Sequence, residues 1–254
     1  GGPWNVDDSW SSFIPMAETN VLLNAGQDYN VTFSATDSIY DINYTRSECN
    51  HIYLPDDASL AGQEKIQIHG QAFIDVKEYA WKWALTSMPI QGVVSGDLFV
   101  SASESTSPFI VAPINQTVGQ PSDDRYLYEV YLSEYDATND KWKSAANTLS
   151  KPLQIGEAVM VGIDCDNDDV NPIIRLPKQD NLYHYYDRNR HTWMAECEPV
   201  SRDENYGKPV YNGSNTVTLK EIYTNVYLFG NPTLAYVDIT KLVQDNSDKL
   251  TGKY

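Results

Sequence analysis

The sequence predicts an all-β protein with little helix, built as a β-sandwich or a jelly roll. Apolar and polar residues alternate in short runs, as at Lys65–His69 and Tyr126–Leu132, and this period of two is typical of half-buried strands. The 18 tyrosines, together with many Thr and Val residues, also favour strands. Turn residues recur at intervals of roughly 8–12 residues, which is typical of sandwiches and barrels.

Individual segments support the same fold class. Asp136–Asp140 is a turn cluster that predicts a hairpin between Tyr135 and Trp142. Ala158–Ile163 is continuously apolar and predicts a strand that is buried on both faces. The one segment with helical character is Asp238–Val243, which we expect to be a short helix capped by Asp238 or Thr240.

The domain organisation leaves two interpretations open. At 254 residues the chain is long enough for one large domain, 1–254, or for two β subdomains, 1–113 and 114–254. A weak internal repeat, in which Trp83–Ile90 parallels Val226–Thr233, would fit two related halves. Chance similarity between two strand ends is the alternative explanation, because Pro ends paired strands wherever it occurs.

The charge balance limits the classes of partner. The chain has 35 acidic and 18 basic residues, which gives a formal net charge of -17. This charge repels phosphate groups, so nucleic acids and anionic membrane surfaces are not expected as partners. No apolar run approaches the roughly 20 residues that span a bilayer. No signal segment is visible either, and we expect any export signal to lie outside this sequence.

The cysteines do not predict a metal site. Cys49, Cys165 and Cys197 are an odd number and include no Cys-x-x-Cys pair, so their spacing does not match a zinc site. We expect three reduced, mostly buried thiols. One disulfide with one free thiol is the alternative.

A calcium site is the sharpest hypothesis for a ligand. Asp164, Asp166 and Asp168 alternate with other residues, and Asp169 follows them. Calcium prefers several oxygen ligands from a tight loop, which this spacing could supply. The loop does not match an EF-hand, because its sixth position is Asp169 where that pattern needs Gly, and its twelfth is Arg175 where it needs Glu. The alternative interpretation is a solvated acidic turn after a strand.

An aromatic belt is the second candidate site. Exposed aromatic rings stack on sugar rings, and nearby polar groups bind the hydroxyls, so this group of residues predicts a carbohydrate-binding surface. The alternative is that the rings cover the sheets and keep their polar ends at the rim. The residues are Trp142, Tyr183, Tyr185, Tyr186 and Trp193.

No motif predicts an enzyme. The sequence has no Gly-x-Ser-x-Gly elbow, no His-Glu-x-x-His and no phosphate-binding loop. The histidines His51, His69, His184 and His191 show no recognised metal spacing, and we expect structural or surface roles for them. Pairs of acids occur throughout so acidic a chain, and therefore give no support to glycoside hydrolysis.

Several segments together resemble a module of large cell-surface and secreted proteins of Bacteroidetes. The resemblance covers about Asn20 to Leu242 and implies a surface or secreted location, but it carries over no catalytic residue. It also implies architectural roles for the motif residues, with Gly and Pro setting turns and aromatic residues filling the sandwich. The segments are Cys49–Leu54 with Ala61–Gln63, Trp83–Asp97, Tyr131–Trp142 with Gly156–Val161, Arg175–Lys178 with Tyr183–Asp187, and Asn225–Pro232.

Three hypotheses for function follow from these observations. The first is a non-catalytic structural or adhesive module, with the rest of a multidomain parent protein, a host surface protein or a neighbouring surface protein as partner. The second is a carbohydrate-binding module that takes a glycan on the aromatic belt. The third is a calcium-stabilised domain of a glycan-degrading assembly.

Overall fold

Strands make up most of the regular structure in the part of the chain that the structure describes. The structure is a computed structural model that describes residues 4, 9–11, 14–32, 47–77, 82–98, 100–102, 128–136, 138–144, 151–165, 173–177, 183–187, 192–196, 202–210, 220–223 and 226–250. The predicted all-β class with little helix is confirmed.

The strands are numbered in chain order. The first seven are β1 (Val21–Leu22), β2 (Asp28–Asn30), β3 (Ser47–Cys49), β4 (Ile52–Leu54), β5 (Ser59–Ala61), β6 (Ile66–Ile68) and β7 (Ala72–Lys77). The others are β8 (Trp83–Ser87), β9 (Val100–Ala102), β10 (Tyr128–Asp136), β11 (Lys141–Ser144), β12 (Ala158–Cys165), β13 (Ile173–Leu176), β14 (Tyr183–Asp187), β15 (Thr192–Glu196), β16 (Lys220–Tyr223) and β17 (Val226–Leu228). Helical turns are short: 3-10 turns at Gln63–Lys65 and Ser95–Asp97, and the helix α1 (Ile239–Asp245).

Residues 21–32 and 47–77, the described parts of this region, form successive parallel coils. Strand β4 pairs in parallel with both β1 and β7, β5 pairs in parallel with β2, and β6 pairs in parallel with β3. The first two coils therefore add one strand each to three faces, and β7 adds a third strand to one of them, which is the arrangement of a short three-sided parallel β-helix. A sandwich-type architecture would have antiparallel strand pairs. The coil adds parallel strand pairs to these.

Alternation of side chains fills the interior of the coil. Val21, Ile52 and Ala72 are register partners in successive coils and are all buried, as are the partners Cys49 and Ile68. Burying each large apolar side chain in such a stack stabilises the fold by about 1.5–3 kcal/mol. The coil residues that belong to the buried apolar core cluster are Val21, Leu23, Val31, Cys49, Ile52, Leu54, Leu60, Ile66, Ile68 and Ala72.

One corner of the coil is held by a polar stack. The Asn20 side-chain oxygen accepts hydrogen bonds from the Asn50 amide group at 3.1 Å and from the His51 backbone N–H at 3.3 Å. One coil further on, the Gln71 backbone N–H donates to Nδ1 of His51 at 2.9 Å. Gly70 lies directly against the imidazole, so no side chain fits at this position.

Other parts of the chain cover both ends of the coil. At the first end Trp4 is buried, its backbone N–H donates to the Thr32 carbonyl oxygen at 2.7 Å, and its ring meets that of Trp10 edge to face. At the second end the Leu60 N–H donates to the Leu234 carbonyl oxygen at 2.8 Å. These contacts supply backbone partners next to β2 and β5, where open strand edges would invite aggregation.

Two larger sheets join the coil to the rest of the chain. The five-stranded sheet has the order β1-β4-β7-β13-β9, and β13 runs antiparallel to both of its neighbours. The four-stranded sheet is antiparallel throughout, with the order β11-β10-β12-β8. Both sheets take strands from either side of residue 113, the boundary of the alternative two-subdomain division. The sequence repeat falls on β8 and β17, which belong to different sheets.

Most local predictions of the sequence analysis are confirmed. Tyr135 pairs with Trp142 across the β10–β11 hairpin, with the turn at the predicted position. The predicted apolar strand lies within β12, between β10 and β8, but its expected burial on both faces is wrong, because Val159 and Val161 are buried while Ala158 and Met160 are only half-buried. The helix α1 is capped by Asp238, whose carboxylate accepts a hydrogen bond from the Lys241 N–H at 3.0 Å.

We expect Gly70→Ala to lower the free energy of unfolding by about 3 kcal/mol, because the new Cβ would press on the His51 ring and lie 2.8 Å from the Asn50 carbonyl oxygen. The matched control is Gly26→Ala. Gly26 has a φ of 67° but has no atom within 4 Å of its Cβ position, so we expect a loss of about 1 kcal/mol from backbone strain alone. Urea unfolding measures both variants, and equal losses would contradict the corner packing.

Candidate functional site

The predicted calcium loop lies mostly outside the described residues. Asp164 belongs to β12, where its backbone pairs with Glu129, while Asp166, Asp168 and Asp169 fall within residues 166–172, which the structure does not describe. Within the described ranges, no group of three or more His, Cys, Asp or Glu side chains is placed to hold a metal ion. The calcium hypothesis therefore stays a prediction.

The predicted aromatic belt is distributed over two hairpins. Trp142 lies on β11, half-buried, with its ring edge to face against that of Tyr135 at 5.5 Å between centroids. Tyr186 and Trp193 are register partners in the β14–β15 hairpin. Because strand positions alternate between faces, Tyr183 and Tyr185 occupy backbone positions on the face opposite to that pair. The register therefore divides these four positions between the two faces of the hairpin.

The histidines in the described coil have structural contacts, as expected. His51 belongs to the coil corner, and burial lowers its pKa. His69 contacts Glu48 on the surface, with 2.7 Å between Nε2 and Oε2. His184 lies on β14, and His191 is outside the described residues.

Cys49 fits the prediction of reduced, buried cysteines. It is a free thiol in the interior of the coil, and burial raises its pKa to about 12. A thiol with so high a pKa is protonated at neutral pH and is therefore a poor nucleophile. The Cys165 backbone belongs to β12, and Cys197 lies outside the described residues.

A buried ion pair joins the coil to the antiparallel strand β13. Nε of Arg175 is 2.6 Å from Oδ1 of Asp75, and Nη2 of Arg175 is 2.7 Å from Oδ2. Arg175 is 5% exposed and Asp75 is 7% exposed, so both charges are removed from water. This two-bond geometry is the strongest that a guanidinium makes with a carboxylate.

Tyr53 completes this buried cluster. Its hydroxyl donates to Oδ2 of Asp75 at 2.7 Å, and the Arg175 guanidinium lies 5.2 Å from the centre of its ring. Burial raises the pKa of the Tyr53 hydroxyl, and the hydrogen bond to Asp75 adds to this effect. Both Asp75 oxygens are therefore engaged, and the cluster has the chemistry of a structural clamp across β4, β7 and β13.

A second buried ion pair holds the segment after β8. Asp97 is fully buried, and its Oδ1 is 2.5 Å from Nη2 of Arg202. Its other oxygen accepts a hydrogen bond from the Val94 N–H at 2.9 Å. The Arg202 guanidinium lies over the Tyr206 ring, 4.2 Å from its centre. This pair fixes the 3-10 turn Ser95–Asp97 to the segment 202–207.

The segment 88–98, which contains this 3-10 turn, is held to its neighbours by backbone hydrogen bonds. The Gln91 N–H donates to the Lys208 carbonyl oxygen and the Gly207 N–H donates to the Gln91 carbonyl oxygen, each at 2.9 Å. On its other side, the Leu153 N–H donates to the Val93 carbonyl oxygen at 2.9 Å. The segment 88–98 is therefore a junction between two loops that are distant in sequence.

Sequence reasoning did not identify these ion pairs, although a signal was present. Arg175 stands between Ile174 and Leu176 in a short apolar strand, and Asp75 stands between Ile74 and Val76. A charged residue inside such a strand predicts a buried partner of opposite charge. The sequence alone does not say which acid pairs with which base.

One face of the four-stranded sheet carries an exposed aromatic residue at its edge strand β8. Trp83 on β8 is 53% exposed and Leu85 is 61% exposed, and alternation places both on one face. Their register partners on β12 are Gly162 and Met160. The face thus combines an indole ring and apolar neighbours with a glycine where the strand is closest to the ring.

Comparisons of the chain with protein-family models, with curated protein sequences and with solved structures found no match. Among the described residues, no helix has the length and apolar character needed to cross a membrane. Function must therefore be argued from the contacts of the chain itself.

Removing one member of the Asp75–Arg175 pair should be costly. We expect Arg175→Met to lower the free energy of unfolding by about 3–5 kcal/mol, because Asp75 would stay buried without its counter-charge. The control Glu48→Gln removes an exposed contact to His69 and should cost less than about 1 kcal/mol. Similar losses in the two variants, measured by denaturant unfolding, would contradict the clamp.

Stability should also depend on pH through His51. The folded pKa is lowered, so the unfolded chain takes up a proton near the ordinary value of about 6.5 while the folded chain does not. The melting temperature should therefore fall as the pH drops below about 6.5. In His51→Asn the side-chain oxygen can accept the same Gln71 hydrogen bond without titrating, so this part of the fall should disappear. His69→Asn is the control, and overlapping profiles for wild type and His51→Asn would refute the prediction.

Proposed function

We propose that the chain is a non-catalytic structural and adhesive module of a bacterial cell-surface or secreted protein. One observation carries the proposal: several residues of the motifs that support the resemblance make contacts that hold the fold together. Asn50 and His51 form the coil corner, Asp97 and Arg175 form buried ion pairs, and Gly156 packs against Gly230. A module whose motif residues stabilise its own fold is suited to bearing mechanical load or to holding other domains apart.

The form of the fold also supports this role. A parallel coil stacks strands along one axis, and both described ends carry backbone partners from other parts of the chain. The acidic net charge of -17 keeps such a module soluble in an aqueous exterior. A cell-surface or extracellular location follows from the resemblance, and the expected partners are the rest of a multidomain parent protein and a neighbouring or host surface protein.

The location is tested in the bacterium that produces the protein. Antibody raised against the chain should label intact cells or the culture medium, and external protease should remove the label from unpermeabilised cells. A cytoplasmic marker serves as the control for lysis. A signal found only after permeabilisation would refute the surface or secreted location.

The absence of catalysis is tested with the purified chain. We expect no product when it is incubated with polysaccharides and peptides and the mixtures are analysed by mass spectrometry. If a product formed, and one carboxylate substitution abolished it without lowering the melting temperature, the protein would be an enzyme and the structural proposal would fail.

A further inference from the structure

We draw no further inference here: the strongest candidate, the exposed Tyr236 ring near the carboxylates of Asp28, Asp56 and Asp57 beside strands β2 and β5, is an acidic surface cluster at which no described residue points to a particular ligand or partner.

Discussion

The five-stranded sheet changes from parallel to antiparallel pairing between β7 and β13, and a buried ion pair lies at this junction. Asp75 and Arg175 are register partners across the two strands, so their side chains share one face. A slip of one residue would move the charges to opposite faces and leave each buried without its partner. The pair therefore selects the register in which β13 covers the last strand of the coil. Without β13, β7 would present an open edge on this side, and the coil would have no defined end there.

The Asp97–Arg202 pair applies the same physical rule to loops. Its two residues are 105 positions apart, and the Asp75–Arg175 pair spans 100 positions. In both pairs a guanidinium bonds to both oxygens of a carboxylate and lies over a tyrosine ring, a combination that lysine cannot reproduce. Buried charges add little net stability compared with apolar packing, but they penalise every wrong pairing strongly. Such clamps suit a fold in which many short strands of similar apolar character could pair in more than one way.

The local parts of the fold could be predicted from the sequence, and the coil could not. The hairpin at Asp136–Asp140 and the cap at Asp238 depend on residues a few positions apart, so their signals are complete within a short window. The coil does have a sequence signal, which is a similarity between segments 31 residues apart. Val21–Leu23 corresponds to Ile52–Leu54, and Gly26 and Asp57, which are also 31 residues apart, both have positive φ. The next coil, however, begins after only 20 residues, from Ile52 to Ala72, so no constant period marks the repeat. The weak similarity of Trp83–Ile90 to Val226–Thr233 depends on a proline one position before the end of each segment, which is a signal of short range. The partner of each buried charge and the exposure of Trp83 depend on contacts over long sequence distances, which no local pattern contains.

Gly162 shows how a residue of one strand is determined by packing against the neighbouring strand. It interrupts the apolar strand β12, where a glycine weakens the strand by about 0.5–1 kcal/mol relative to alanine. Its backbone has no positive φ that would require glycine, so strand geometry does not explain the residue. The space above it is filled by the Trp83 ring of the neighbouring strand β8. A Cβ at this position would be 2.9 Å from Cδ2 and from Cε3 of that ring, which is closer than side-chain packing allows. The tryptophan on β8 therefore explains the glycine on β12, a dependence between two strands that no local sequence pattern contains.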